Sequence, residues 1–210
     1  KLDPKPDAMF TGANPGLVAT GLSDTSWSPK LGAIWRFNDV FSAFAQYAHG
    51  FRSPPYNDVN LGFTNVMFGY TAIPNPDLKP ETSNGVELGL RYLSPTIYAS
   101  LSGYWNDYRD FIESQRYVGT NAQGLMVFQS QNIADARIHG AELKAGVDFG
   151  ELSAALAGWS LRGAVAWSHG QNRTEDLPLD SVDPLRGTLG LMYDRNDWGV
   201  ELAGTFARRK

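Results

Sequence analysis

The chain has 210 residues, with 18 basic and 22 acidic side chains, a net charge of −4 and no cysteine. A hydrophobic share of 42%, with 12% aromatic and only 19% charged residues, excludes a charge-rich disordered chain. The missing cysteines exclude a disulfide framework and thiolate zinc sites, and a pI near 5.3 argues against nucleic acid, which needs a clustered basic surface.

The opening stretch, KLDPKPDAMFTGANPG, is rich in Pro, Gly, Asn and Asp and reads as a surface loop. It lacks the basic region and apolar core of a signal peptide. No apolar run anywhere approaches the ~20 residues of a membrane helix. Period-two alternation then recurs along the chain, the pattern of strands with two unlike faces. Leu31, Ala33, Trp35 and Phe37 share one face. Val40–Phe51 follows with apolar residues in both phases. Val86, Leu88, Leu90 and Tyr92 oppose Glu87, Gly89 and Arg91, and Ile97, Ala99, Leu101, Gly103 and Trp105 oppose Tyr98, Ser100, Ser102, Tyr104 and Asn106. His139, Ala141, Leu143, Ala145 and Val147 form the next apolar face, then Trp159, Leu161, Gly163, Val165 and Trp167. Leu189, Leu191 and Tyr193, and finally Trp198, Val200, Leu202 and Phe206, complete about eight strands, each near the ~9–11 residues that cross a bilayer at a tilt.

Three features separate a membrane wall from a half-buried soluble sheet. Aromatic residues close the apolar faces, as in interfacial girdles. The opposite faces mix small residues with Glu, Arg and Lys, which a dry core would penalise. Short connections (Asn38-Asp39, Ser94-Pro95, the stretch near Gly150–Gly158, Arg195-Asn196-Asp197) alternate with long ones over 52–80, 113–135 and 170–184. Outer-membrane barrels have short periplasmic turns and long extracellular loops. The pattern therefore predicts an all-β, antiparallel transmembrane β-barrel segment. The first strand runs from outside to periplasm and the last ends outside. Both chain ends thus read as cuts within a larger barrel, the whole of residues 1–210 belonging to one barrel domain.

Two strings carry a family resemblance. YAHGFRSPPYNDVN and IPNPDLKPETSNGVELGLRY resemble the TonB-dependent outer-membrane receptors, and more narrowly their haem and haemoglobin branch. That branch has an FRAP box and an NPNL box around an extracellular loop. Phe51, Arg52, Ser53 and Pro54 stand at the first, Asn75, Pro76, Asp77 and Leu78 at the second. Ser26–Phe37, Asn132–Gly146 and Leu177–Leu191 are also family-like. The resemblance implies a roughly 22-stranded barrel with an internal plug that lies outside this sequence. It implies outer-membrane lipid as surroundings, haem or a haemoprotein as ligand, a TonB complex acting through the plug, and a monomer. A ferric-siderophore receptor is the alternative.

Haem receptors typically offer an axial ligand, often histidine, from the loop between the boxes. Pro55–Pro74 contains no histidine but has Tyr56 and Tyr70, and a tyrosinate can ligate ferric iron. Tyr70, among Met67, Phe68 and Ile73, is the first candidate for haem, with Tyr56 and His49 as alternatives. Packing within the loop is the plain reading of Tyr70, as is a rim position for His49. His139 and His169 also fall at strand ends, and three dispersed histidines without ligand spacing predict no metal beyond haem iron. Asp176, Asp180 and Asp183 read as a solvated acidic loop. The boxes read first as loop anchors, and the lumen charges Glu87, Arg91, Glu142 and Lys144 as paired for solvation. No Ser/His/Asp set or phosphate loop suggests an enzyme.

Overall fold

The computed structural model describes residues 5, 8, 19–179, 181–183 and 185–209. The strands are β1 (Lys30–Arg36), β2 (Phe41–Arg52), β3 (Phe63–Asn65), β4 (Tyr70–Ile73), β5 (Glu81–Leu93), β6 (Ile97–Thr120), β7 (Met126–Asp148), β8 (Trp159–Asn172), β9 (Leu177–Pro178), β10 (Arg186–Arg195) and β11 (Trp198–Ala207). One short helix, α1 (Tyr56–Asn60), follows β2. The hydrogen-bonded order β1-β2-β5-β6-β7-β8-β10-β11 contains the eight expected strands in chain order. Registers run antiparallel, as in Leu31↔Tyr47 and Leu191↔Leu202. Two compact units divide the chain. A wall unit holds Pro29–His49, Asn84–Asp107 and the residues from Arg137 on; a loop unit holds Gly50–Ser83, Tyr108–Ala136 and the described part of the leading segment.

In the wall unit the apolar phase is left uncovered by protein. Leu88 is 58% exposed, Leu101 52% and Val165 38%. A soluble sandwich would bury such a face, so this one is built for hydrocarbon. Rings pair at the end bearing the short turns: Trp35 with Phe37 at 5.1 Å, Phe41 with Tyr92 at 4.8 Å, and Tyr193 with Trp159 at 5.0 Å and Trp198 at 5.1 Å. On the other face, aromatic rings lie over glycines of the neighbouring strand. Phe44 covers Gly89, Tyr98 covers Gly146 and Tyr104 covers Gly140, where an added Cβ would collide with the ring. That explains the mixed phase of Val40–Phe51: Phe44 is a lumen residue, packed on Gly89 with the Arg91 guanidinium 4.4 Å over its ring. Arg91 thus sits on an aromatic face, whereas Glu142 and Lys144 pair at 3.0 Å as expected.

The tight turns are closed by side chains that mimic backbone. Asn38 Oδ1 accepts from the amides of Val40 and Phe41, and Ser94 Oγ accepts from the amide of Ile97.

The long connection expected over 113–135 is corrected to a hairpin. β6 and β7 continue through it and close on a turn where Asn121 Oδ1 accepts from the amides of Gln123 and Leu125. Left-handed backbone at Asp110 (φ 51°) and Gln115 (φ 53°) interrupts the alternation, which hides these strands from a period-two reading. The 170–184 connection is likewise shortened, since β8 reaches Asn172 and β9 pairs back onto it. Asp180 lies outside the described residues; Asp183 pairs with Arg186 at 3.6 Å, and Asp176 accepts from Gln171.

The loop unit has a dry centre. Val59, Leu78 and Ile112 are buried together, with Leu22 packed against them. Asn60 of α1 is buried and is satisfied by donating to the carbonyl of Thr20 at 3.1 Å.

The two faces of the wall make opposite demands on one strand. Leu101→Arg sets a charge against hydrocarbon and should cost about 2–4 kcal/mol near the bilayer midplane, whereas Ser102→Arg, one residue on, should cost under about 1 kcal/mol. Denaturant midpoints of the full-length receptor, read by heat-dependent gel mobility, check both values. Equal losses would show that the faces are assigned wrongly.

Candidate functional site

The segment between β2 and β5 is anchored at both ends by the two boxes. Arg52 Nε lies 3.5 Å from Glu81 Oε1, and the other Glu81 oxygen accepts from the Ile112 amide at 2.9 Å. Arg52 also donates to the Ile112 carbonyl. The first box and Glu81, three residues past the second, are therefore tied to one point of β6. Pro54 is buried, and Ser53 donates to Asp24. At the second box, Asn75 Nδ2 donates to the Ser130 carbonyl at 2.9 Å, and its Oδ1 accepts from the Asp77 amide. Leu78 enters the buried cluster, and Lys79 is held through both backbone groups by Asn132. Pro76 lies exposed at the turn. Phe51 ends β2 beside Arg52.

Between these anchors β3 and β4 form a hairpin, and β4 lies parallel to the start of β7 with Tyr70↔Met126 and Ala72↔Phe128 in register. The pairing makes a firm platform from what reads as a loop. Its rings form a continuous edge-to-face series: Phe63 to Tyr70 at 5.6 Å, Tyr70 to Phe128 at 6.2 Å, and Phe128 to Tyr117 at 5.8 Å. Phe63, Ala72 and Phe128 also line a cleft of about 390 Å³ whose polar rim includes Asp58, Gln115 and Ser130. That volume is within the usual small-molecule range of ~300–1,000 Å³. Ser130 donates to Asp58 at 2.9 Å, leaving the second carboxylate oxygen and the Gln115 amide as polar handles.

Tyr70, the first candidate, is half-buried at the middle of this series. The neighbours expected for it are different from those found. Met67 (88% exposed) and Phe68 (70%) project at the hairpin tip, and Ile73 is in the opposite strand phase from Tyr70. Phe63 and Phe128 take their place, with Tyr117 on the far side of Phe128. Tyr117 and Phe128 were hidden by the broken alternation. Tyr56 starts α1, and its carbonyl accepts from Asn60. His49 shares the outward face with Tyr47, and both bond Asn84 Oδ1, at 3.1 and 2.8 Å. It therefore points to the lipid side of the wall rather than to the lumen.

The histidines are less dispersed than the sequence suggests. His139 stacks on Trp105 at 4.9 Å and approaches His169 at 5.4 Å. Among the described residues no group of three or more His, Asp or Glu side chains is arranged to hold a metal ion.

Residues 7–209 match the family described as TonB dependent receptor-like, beta-barrel. The chain belongs to this family, which comprises outer-membrane transport receptors of Gram-negative bacteria and not enzymes. It is 25% identical over 196 residues to a probable hemoglobin and hemoglobin-haptoglobin-binding protein 4 of Haemophilus influenzae, covering 87% of this chain and 19% of that protein. It is 28% identical over 225 residues to the hemoglobin-haptoglobin utilization protein B of Neisseria meningitidis, covering 98% of this chain and 27% of that one. Among solved structures, the siderophore receptor PirA from Acinetobacter baumannii superposes with a TM-score of 0.62 at 25% identity, over 86% of this chain and 28% of PirA. The chain thus spans about a fifth to a quarter of its curated relatives.

Glu81 is the buried joint between the boxes and β6. Glu81→Ala removes a charge-assisted bond of about 1.5–3 kcal/mol. The Ile112 amide should then exchange its hydrogen at least about tenfold faster, while amides of β10 remain unchanged. Hydrogen exchange with mass spectrometry on the full-length receptor reads both.

Proposed function

We propose that this chain is the part of a haem-uptake receptor that carries the ligand-contacting segment over 52–80, exposed on the extracellular side. The observation that carries the reading is Tyr70, held half-buried between Phe63 and Phe128 on a strand docked to β7. A ferric porphyrin is a flat apolar disc with one hard, cationic centre. It asks for aromatic surface and an anionic oxygen, and a phenol bound to a cation is favoured as phenolate. Tyr70 supplies the oxygen, and the rings around it supply surface for the porphyrin. Tyr56, within the same segment, is the alternative ligand, whereas His49 faces the lipid side of the wall. The FRSP and NPDL boxes, and the haemoglobin-binding names of the two relatives, support the same reading.

In this reading the haem comes free or from a haemoprotein. The plug and the TonB complex move it inward, since the outer membrane has no nucleotide supply, and the receptor acts as a monomer in outer-membrane lipid. A ferric-siderophore receptor is the second reading. It is favoured by the likeness to PirA and by the aromatic cleft with its polar rim of Asp58, Gln115 and Ser130, which suits a chelate carrying its own iron ligands.

Haemin titrated into the full-length receptor separates these readings. A haem receptor shifts the Soret band. Tyr70→Phe, which keeps the ring and loses the oxygen, should change the band and weaken binding at least about tenfold, since even an outer-shell partner of a metal ligand is worth that much. Tyr56→Phe and His49→Gln should leave it as it was. A wild-type receptor that produces no Soret shift but binds a ferric catecholate would overturn the haem reading in favour of the siderophore one.

A further inference from the structure

Two imidazoles meet on the lipid side of the wall, at the end of the strands that carries the longer connections. His139 of β7 and His169 of β8 have ring centroids 5.4 Å apart with planes inclined at 58°. A zinc–imidazole bond is about 2.0–2.1 Å, which puts a ring centre about 3.2 Å from the ion. Two rings sharing one ion at the tetrahedral angle then have centres about 5.2 Å apart. We propose that His139 and His169 are the two protein ligands of a site for a borderline divalent metal ion such as zinc, copper(II) or nickel, with water completing the coordination.

A second observation points the same way. Among the described residues, His139 Nδ1 is the one buried side-chain nitrogen or oxygen without a hydrogen-bond partner, the condition that an absent water or ion leaves behind. Indole rings border the His139 imidazole. Trp105 stacks on His139 at 4.9 Å, and Trp167 meets it edge-on at 5.6 Å, so the ring is held from both sides in apolar contact. Arg137 lies 4.4 Å over Trp105 and pairs with Asp107 at 2.7 Å. The site is also complete within this chain, because β6, β7 and β8 each have both sheet neighbours present. A shared ion would staple β7 to β8 at the rim of the wall. It is independent of the haem reading, since these side chains face away from the lumen.

The test uses the untagged full-length receptor in detergent, stripped with EDTA and titrated with copper(II) alone. Copper quenches nearby indoles, and Trp105 and Trp167 both adjoin His139. Saturable quenching that EDTA reverses and zinc blocks is the expected result. His139→Ala and His169→Ala should each weaken it more than about tenfold, and His49→Ala should not change it. Heat-dependent gel mobility shows whether each variant is folded. Zinc protection of His169 from diethyl pyrocarbonate gives the same answer without substitution. Quenching that persists in the folded His139→Ala and His169→Ala variants, or no saturable quenching in the wild type, overturns the site. So does a tryptophan response to phosphate-bearing lipid vesicles, but not to metal, that depends on His169, since the imidazoles would then serve a headgroup.

Discussion

Hydrocarbon offers no partner to a backbone N–H or C=O, so a membrane wall made of strands must satisfy every such group between neighbours. The unbroken order from β1 to β11 meets that demand for the strands between them, β2, β5, β6, β7, β8 and β10, each of which has a neighbour on both sides. Once the ladder is continuous, side chains have only two places to go, and the strand period assigns them alternately to lipid and lumen. Leu88, Leu101 and Val165 lie uncovered for this reason, and glycines such as Gly89 and Gly140 leave room for a ring on the lumen side. The rings give back the packing surface that glycine withholds from a sheet.

The loop unit follows a different logic. It holds itself together as a small soluble protein does, with Val59, Leu78 and Ile112 buried and polar side chains finishing the backbone's hydrogen bonds. Arg52 and Glu81 converge on Ile112, so the two ends of the segment are bound to the same strand. This arrangement lets an irregular stretch carry an ordered aromatic surface. A ligand that meets such a surface spends less of its binding energy on ordering the protein.

The family assignment and the ligand assignment rest on different physics. Strand period, girdles and the two boxes are properties of the wall and of the segment's anchors, which receptors for different cargoes can share. Cargo is chosen by a few side chains between the anchors. Here they include the Tyr70 phenol among aromatic rings and the Asp58 carboxylate at the rim of the cleft.

The sequence by itself determined the eight wall strands, their two faces and the short turns at Asn38 and Ser94, because each is a local consequence of period two or of turn chemistry; the anchoring boxes were legible only through their resemblance to a family. Tertiary structure alone decided that 113–135 is a hairpin, that β4 docks parallel on β7, and that Phe63 and Phe128 flank Tyr70, with Tyr117 beyond Phe128, in place of Met67, Phe68 and Ile73. It also decided that two distant histidines become neighbours. Left-handed residues at Asp110 and Gln115 shift the strand phase without any composition signal, and contacts between strands far apart in the chain depend on register, which no single segment encodes.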